Sequence, residues 1–297
     1  MIMADIRKNE SLANHCTYKI GGPARTMFLA RGEEEIVAGL KIAHENKERV
    51  FVLGGGSNIL FSDAGFDGLV LKMENRGIEV IEEKSEGARL DVGAGTSLAA
   101  LVNFARDNDL TGMEWAAGIP GTAGGAIRGN AGAFGHEIGE SVGKVRALEI
   151  LPKKNISKNF GKDDCEFVYR GSTFKQNKNL LITGAEIYLR KGDRAAIILA
   201  MEECFAKKRA AQPLEYPSAG SVFVNPPGLF AGKIIEDCGF KGKIRGGAQV
   251  SQKHANFIVN LGNAKSRDVL GLIAQIKTAA KEKFNVDLRE EIEIVEA

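Results

Sequence analysis

The chain has 297 residues, of which 40 are Lys or Arg and 38 are Asp or Glu, so its formal net charge is only +2. Charges this evenly balanced exclude a strongly basic nucleic-acid-binding protein and an acidic disordered tail as the main character of the chain. Hydrophobic residues make up 44% and charged residues 26%, which are ordinary globular values. Glycine is the exception, because 36 residues are glycine, about 12% against a usual share of about 7%.

Strands and helices alternate through the first 190 residues. Apolar residues recur at helical spacing in 33–47 and in 97–107, and Thr96 or Ser97 can cap the second of these helices. The apolar run Arg49–Leu53 ends in glycines, which is typical of a buried strand. Further strands are predicted at 69–72, 78–81, 89–92, 145–150 and 186–190. The pattern predicts an α+β or α/β unit interrupted by glycine loops.

The pattern changes near residue 193, where we place a domain boundary. Asp193 can cap a helix that runs to about residue 211, and Gln212-Pro213 ends it. A strand is predicted at 256–260, a helix at 266–284 and a final strand at 291–295. The helix carries one apolar stripe, which consists of Val269, Ile273, Ile276, Ala280 and Phe284.

Neither a secretion signal nor a membrane span is visible. Residues 1–8 lack the apolar stretch that a secretion signal needs, and no segment approaches the roughly 18 apolar residues of a membrane helix. We therefore expect a cytoplasmic protein without a membrane or nucleic-acid partner, and no obligate protein partner is evident. The cysteines lie far apart, and no histidine lies at metal-ligand spacing from them, which disfavours a metal site. They are Cys16, Cys165, Cys204 and Cys238.

The first glycine cluster, Gly54-Gly55-Gly56-Ser57-Asn58, directly follows the Arg49–Leu53 strand. Residues without a Cβ let consecutive backbone N–H groups converge on an anion and let a ligand approach the main chain closely. Ser57 and Asn58 add side-chain donors. A tight turn that happens to be rich in glycine is the alternative, and the local chemistry favours a phosphate-binding loop.

The second cluster is larger, because residues 112–143 contain ten glycines. A segment so poor in side chains is either disordered or packed around a large ligand. Disorder is disfavoured because apolar residues are interleaved with the glycines, namely Trp115, Ile119, Ile127, Phe134 and Ile138. We therefore expect an extended ligand of dinucleotide size.

Neither cluster matches a standard nucleotide-binding motif. The pattern Gly-x-x-x-x-Gly-Lys-Ser/Thr is absent, which excludes a P-loop NTPase. Gly93-Ala94-Gly95 begins like Gly-x-Gly-x-x-Gly after a predicted strand, but Leu98 stands where the third glycine belongs. The support for a Rossmann site is therefore weak.

Three polar groups in the C-terminal half are further candidates. Arg170 lies among small and aromatic residues, and its planar guanidinium suits a carboxylate or a phosphate, with a structural ion pair as the alternative. Ser221 lies in a turn without the Gly-x-Ser-x-Gly elbow of a hydrolase, so an ordinary turn serine is the alternative. Glu290 and Glu291 begin the last strand, where the alternative is a solvated pair of charges.

Taken together, these segments resemble the UDP-N-acetylenolpyruvoylglucosamine reductase family, flavoenzymes of bacterial cell-wall synthesis. The similarity covers nearly the whole chain. Any one motif is weak, but the motifs occur in the family's order, which makes the set specific. They lie at residues 14–24, 53–58, 118–135, 169–174, 212–213, 219–226, 231–232, 241–242, 246–251 and 254–260.

The resemblance implies an α+β fold with an FAD-binding region of the vanillyl-alcohol-oxidase type over residues 20–193. Its two subdomains would cover about 1–72 and 73–193, and a substrate-binding domain would cover 194–297. No histidine lies inside the first glycine loop, so we expect FAD to be bound non-covalently. The implied FAD-binding residues are Gly54, Gly55, Gly56, Ser57, Asn58, Gly118, Ile119, Pro120, Gly121, Thr122, Gly124, Gly125, Asn130, Ala131 and Gly132.

The resemblance also implies three catalytic residues. Arg170 matches the arginine of the family's Tyr-Arg-x-Ser motif, and Ser221 matches its Gly-Ser serine. The family's C-terminal glutamate matches Glu291, although Glu290 stands where proline is usual and is the second candidate. Arg170 and Ser221 are only 51 positions apart, which indicates the shorter class of the family, without an inserted tyrosine loop. The substrate-binding candidates are Tyr169, Lys208, Asn225 and Gln249.

The implied reaction is the reduction of an enolpyruvyl ether to UDP-N-acetylmuramate, with NADPH as the hydride donor to FAD and a UDP-sugar as the small-molecule substrate. Arg170 would stabilise the enolate, Glu291 would polarise or orient the carboxylate, and Ser221 would donate the proton. The product serves peptidoglycan synthesis, and through it cell wall biogenesis, cell shape and cell division. An FAD-dependent alcohol or lactone oxidoreductase of the same fold, and a non-catalytic nucleotide-binding module, are the alternatives.

Overall fold

The structure is a computed structural model, and it describes residues 5–151 and 154–297. The helices are α1 (Glu33–Glu45), α2 (Leu98–Asp107), α3 (Ala123–Gly129), α4 (Thr173–Gln176), α5 (Arg194–Ala211), α6 (Ala231–Asp237) and α7 (Ser266–Phe284). The first strands are β1 (Asp5–Ser11), β2 (Pro23–Ala30), β3 (Arg49–Leu53), β4 (Ile59–Phe61), β5 (Phe66–Met73), β6 (Ile78–Lys84), β7 (Gly87–Gly93) and β8 (Leu110–Thr111). The later strands are β9 (Gly132–Ala133), β10 (His136–Glu137), β11 (Val142–Ile150), β12 (Asn155–Gly161), β13 (Leu180–Lys191), β14 (Ile244–Arg245), β15 (Ala248–Val250), β16 (Ile258–Asn260) and β17 (Glu293–Val295).

The chain divides into two compact units, each built from segments that are discontinuous in sequence. The first unit comprises Met1–Ile6, Phe28–Gly55 and Val70–Lys208. The second unit comprises Arg7–Met27, Gly56–Leu69 and Arg209–Ala297. The chain therefore changes unit within β1, β2, β5 and α5 and inside the first glycine cluster.

The first unit contains an antiparallel sheet in the order β12-β11-β13-β7-β6, with β8 paired to β13. The central strand β13 is buried over most of its length, whereas the outer strands β6 and β12 are mostly exposed. The core of this unit therefore lies at the middle of the sheet.

The helices of the first unit form where the apolar spacing predicts them. Leu98, Leu101 and Val102 are buried on α2, and the Ser97 hydroxyl caps this helix by accepting a hydrogen bond from Ala100 N at 3.1 Å. Asp193 caps α5 in the same way, since its carboxylate accepts from Ala196 N at 2.9 Å. Both caps satisfy backbone N–H groups that a helix start leaves unpaired.

The prediction of a buried strand at Arg49–Leu53 is half wrong. The strand forms as β3, but only Leu53 is buried, and Val50 and Val52 each keep 38% exposure. The reason is position, because β3 is the last strand in the sheet order β1-β2-β5-β3. An apolar run alone does not distinguish an edge strand from a central one.

The second unit combines the sheet β14-β15-β16, the parallel pair of β17 and β4, and helix α7. Val269, Ile273 and Ile276 of the predicted stripe are buried, as is Ala280. Phe284 is the exception, with 39% exposure. The helix ends there, and Asn285 takes up a left-handed conformation (φ 54°) at its C-cap. In residues 5–151 and 154–297, no helix is both long and apolar enough to cross a membrane.

Asn260 links the N-terminal and the C-terminal segments of the second unit. Its side-chain amide donates to Tyr18 O at 3.0 Å, and its carbonyl accepts from Gly262 N and Ala264 N at 2.8 and 3.0 Å. The side chain is buried, so loss of its bonds to Tyr18 O and Ala264 N would leave two main-chain groups without a partner in the interior.

We predict that Asn260→Ala lowers the free energy of unfolding by about 2–4 kcal/mol, because two buried main-chain groups, Tyr18 O and Ala264 N, lose their partner. Equilibrium urea unfolding measures the change. Asn159→Ala, at an exposed position of β12, is the control and should change the free energy of unfolding by less than about 0.5 kcal/mol. Equal effects of the two substitutions would contradict the role of Asn260.

Candidate active site

The two glycine clusters meet backbone to backbone in the first unit. A Cβ added to Gly55 would lie 2.6 Å from Gly121 Cα, and a Cβ added to Gly54 would lie 2.7 Å from Thr122 Oγ1. The Lys72 ammonium also donates to Gly54 O. These glycines are therefore required by the close approach of two loops, in addition to any ligand that the loops bind.

The other face of the second cluster is fixed in the same way. Gly124 N donates to Ala94 O at 2.9 Å, and a Cβ on Gly124 would lie 2.8 Å from the Cβ of Ala94. Leu98 N donates to Gly121 O at 3.0 Å. The start of α3 is thus locked against the loop between β7 and α2.

One stretch of this backbone stays accessible. Gly118, Pro120 and Gly125 are exposed, and a Cβ on Gly125 would meet only Thr122 Oγ1 within 4 Å, at 3.5 Å. Thr122 caps α3 through its hydroxyl, which accepts from Gly125 N at 3.4 Å. The N–H groups of Ala123 and Gly124 at the helix start are already bonded to Thr96 O and Ala94 O. Exposed main chain without side chains at Gly118, Pro120 and Gly125 lets a cofactor approach closely, so these residues fit FAD.

The last residues of the first cluster belong to the second unit. Gly56 has a left-handed backbone (φ 64°), and a Cβ there would overlap the His15 carbonyl oxygen. The side-chain amide of Asn58 donates to Glu291 O at 3.0 Å, and Asn58 O accepts from Glu293 N at 2.9 Å. Asn58 is therefore bound to the C-terminal strand, and Ser57 beside it is half-buried.

Asn130 is completely buried (0% exposed) and has a left-handed backbone at the C-cap of α3 (φ 41°). Its amide donates to Val168 O at 3.0 Å, and its carbonyl accepts from Gly139 N at 3.1 Å. The predicted contact of Asn130 with FAD stays a prediction, because the side chain is engaged with main chain here. Ala131 and Gly132 beside it are half-buried.

Arg170 lies at the tip of a tight turn and reaches the second glycine cluster. Its Nη2 donates to Gly132 O at 2.9 Å, and its Cζ lies 5.0 Å from the centre of the Tyr169 ring. Tyr169 is exposed. The structure therefore brings one predicted catalytic residue to the end of the predicted FAD-binding segment.

Ser221 and Glu291 lie on neighbouring segments of the second unit. Glu291 N donates to the carbonyl of Val222, the residue after Ser221, at 2.8 Å. Gly220 has a left-handed backbone (φ 79°), and no atom lies within 4 Å of a Cβ added there. The carboxylate of Glu290 forms an ion pair with Lys277 at 2.7 Å.

The side chain of Asn256 holds the segment that follows Ser221. The sequence indicated this residue only as part of the motif at 254–260. Its carbonyl accepts from Phe223 N at 3.0 Å and its amide donates to Phe223 O at 2.8 Å. Asn256 O also accepts from Val222 N at 2.8 Å. The buried amide thus adds two bonds to a segment that also pairs with the main chain of Phe257 and Glu290, and no periodicity in the sequence signals this role.

Three of the predicted substrate-binding residues are engaged with main chain. Lys208 is 8% exposed and donates to Gly118 O at 2.7 Å, and burial lowers its pKa to about 8. Asn225 accepts from Ala231 N at 3.0 Å, and Gln249 donates to Gly242 O at 3.2 Å. Among the described residues, no group of three or more His, Cys, Asp or Glu side chains could hold a metal ion.

Two family models match the chain. The model described as FAD binding domain matches residues 24–153, and the model described as UDP-N-acetylenolpyruvoylglucosamine reductase, C-terminal domain, matches residues 212–295. A cholesterol oxidase from Brevibacterium sterolicum covers 64% of this chain and 38% of its own chain with a TM-score of 0.50. At 16% identity, that likeness shows the fold alone.

Two relatives with higher sequence identity share the same name, that of a reductase. A UDP-N-acetylenolpyruvoylglucosamine reductase from Caldanaerobacter subterraneus subsp. tengcongensis is 42% identical over 97% of this chain and 92% of its own. The crystal structure of the reductase from Thermus caldophilus covers 99% of this chain and 100% of its own, with 30% identity and a TM-score of 0.81. The FAD-binding fold and the C-terminal match are as the motifs predict, and the chain belongs to the UDP-N-acetylenolpyruvoylglucosamine reductase family.

Proposed function

We propose that Arg170, Ser221 and Glu291 are the catalytic residues of the reaction this family performs. The protein is an oxidoreductase that uses FAD to reduce a UDP-sugar enolpyruvyl ether in peptidoglycan precursor synthesis. The observation that carries the assignment is the hydrogen bond from Arg170 to Gly132 O, because it holds a cation at the end of the segment proposed to bind FAD.

The accessible main chain at 118–125 and the loop 54–58 are proposed to hold FAD without a covalent bond. When bound, FAD supplies the hydride, and NADPH is the proposed reductant that restores it. The protein's contribution at this site is exposed main chain at Gly118, Pro120 and Gly125, which lets the cofactor approach the backbone.

Arg170 is proposed to stabilise the negative charge that develops on the substrate. When the terminal methylene carbon of the enolpyruvyl group accepts a hydride, charge develops on the neighbouring carbon and spreads into the carboxylate. A guanidinium already fixed by Gly132 O requires little reorganisation to face this charge. Preorganised cations of this kind lower reaction barriers.

Ser221 is proposed to donate the proton that completes the saturation. A serine hydroxyl is a weak acid, so it serves here only because the enolate is strongly basic and the hydroxyl is held in place. Glu291 is proposed to orient the substrate carboxylate. The choice of Glu291 over Glu290 follows the family's motif, in which the C-terminal glutamate matches Glu291.

Binding of the UDP group is proposed to use side chains away from the reacting carbon, since remote contacts can supply energy for orientation. Tyr169, Lys208, Asn225 and Gln249 are the candidates. Tyr169 is exposed, whereas Lys208, Asn225 and Gln249 each already form a hydrogen bond with main chain. We also propose a cytoplasmic location and the shorter class of the family.

The reaction is tested by following the visible flavin absorbance under anaerobic conditions, with NADPH added first and UDP-N-acetylglucosamine enolpyruvate second. We expect bleaching by NADPH and recovery on adding the enol ether. Bleaching without recovery would mean that the enol ether is not the substrate and that the reduced flavin passes its electrons to another acceptor. A protein that takes up no FAD would refute the assignment of both glycine loops.

We predict that Gly55→Val raises the Kd for FAD at least tenfold. Its Cβ would lie 2.6 Å from Gly121 Cα, so the two loops must separate. Flavin absorbance per protein after dialysis, and titration with FAD, measure the loss. Gly77→Val is the matched control, because no atom lies within 4 Å of its added Cβ. Full FAD loading of both variants would argue against the loop contact as a determinant.

We predict that Ser221→Ala is reduced by NADPH at the wild-type rate but is reoxidised by the enol ether at least about 100-fold more slowly, because a positioned proton donor is lost. Stopped-flow absorbance separates the two half-reactions. Ser62→Ala, whose hydroxyl accepts from Ala64 N, is the control and should retain both rates. Parallel loss of both half-reactions in Ser221→Ala would contradict a role as proton donor.

We predict that Glu291→Gln slows reoxidation by the enol ether at least about tenfold, whereas Glu290→Gln changes it less than about threefold. The second substitution removes the ion pair with Lys277 and should instead lower stability slightly. The same stopped-flow assay and a urea titration compare the two. The reciprocal result would assign the catalytic role to Glu290.

A further inference from the structure

The turn that carries Arg170 is closed by two main-chain hydrogen bonds. Val168 N donates to Gly171 O at 3.1 Å, and Gly171 N donates to Val168 O at 3.0 Å. Arg170 has a left-handed backbone (φ 57°), which is disfavoured for a residue with a Cβ. Such a conformation persists only where the surroundings impose it.

Residues 128–132 impose it, because they hold the turn on both sides and at its tip. Asn130 donates to Val168 O at 3.0 Å before the tip, and the Ser172 hydroxyl donates to Arg128 O at 2.8 Å after it. Arg170 itself donates to Gly132 O. The turn is therefore fixed to the segment that follows α3, on which the proposed FAD site depends.

Ser172 is used in an unusual way for its position. It is the N-cap of α4, where a serine normally accepts a hydrogen bond from the first turn of its helix. Here its hydroxyl caps nothing, and it is completely buried (0% exposed) and aimed at Arg128 O. Helix α4 therefore lacks a side-chain cap, and the Ser172 hydroxyl instead bonds to the segment that contains Arg128.

Helix α4 holds the turn at one more point. The Lys175 ammonium, one turn into the helix, donates to Arg170 O at 2.8 Å. The main chain at Arg170 is thus fixed by α4, while its guanidinium is fixed by Gly132 O. A shift of Ser172 would be transmitted to both contacts.

We propose that Ser172 is a positioning residue of the reaction, which acts through Arg170 by fixing the turn 168–171 on Arg128 O. The inference rests on the proposed role of Arg170. Ser172 is buried against main chain, so it supplies no group to the substrate and affects only where the guanidinium stands. Displacement of a positioned group by even about 1 Å slows reactions strongly.

A double-mutant cycle of Ser172→Ala and Arg170→Ala tests this. Ser172→Ala should keep its flavin absorbance and its rate of reduction by NADPH, and its reoxidation at saturating enol ether should slow about 10- to 100-fold. In the Arg170→Ala background, Ser172→Ala should slow reoxidation no further, because the two act as one unit. Thr173→Ala is the matched control, since its hydroxyl donates to Asp164 O at 3.0 Å and not to residues 128–132.

Multiplicative effects of the two substitutions, equal loss of both half-reactions or wild-type reoxidation in Ser172→Ala would each overturn the inference. If Ser172→Ala does not hold FAD, the cycle is run with Ser172→Cys, whose thiol fills the site as a weaker donor and should give an intermediate rate. Failure of the proposed function is distinct, because Arg170→Ala alone would then be reoxidised normally by the enol ether.

Discussion

The direct approach of Gly54 and Gly55 to Gly121 and Thr122 is the contact on which the rest of the first unit's site depends. Gly55 faces the main chain of Gly121 and Gly54 faces the hydroxyl of Thr122, at distances that leave no room for a Cβ. This contact fixes where α3 begins, and α3 in turn fixes residues 128–132 and the turn of Arg170. A change at the first loop therefore propagates to the guanidinium through consecutive packed segments.

Buried amide and hydroxyl side chains fix the irregular segments that strand pairing does not hold in place. Asn130, Asn256 and Asn260 each bond to main chain in segments distant in sequence, and Ser172 does so with one hydroxyl. A buried amide can satisfy a donor and an acceptor at once, so it joins irregular loops where a regular ladder is impossible. The site is thus built from loops without being loosely held.

Much of the fold followed from local patterns, because helix caps and apolar spacing are local. The helices from 33 and 266 begin where their apolar spacing predicts, and the helices from 98 and 194 begin where Ser97 and Asp193 cap them. The edge position of β3 could not be predicted, since strand order depends on partners far along the chain. The glycine clusters indicated a binding site. Only the structure shows which glycines are needed where the two loops pack together and which remain accessible to a ligand. No periodic pattern in the sequence predicts the hydrogen bonds that Asn130 and Ser172 make to distant main chain.

The parallel pairing of β17 with β4 has a consequence for biosynthesis. Residues 293–295 pair with residues 59–61, and Asn260 bonds to Tyr18 across 242 positions of sequence. Ribosomes add about 5–20 residues per second, so the amino-terminal segments of the second unit are exposed for many seconds before their partners are made. The pairing of β17 with β4 can therefore form only once residues 293–295 have been made, and the early segments of this unit are accessible to chaperones until then.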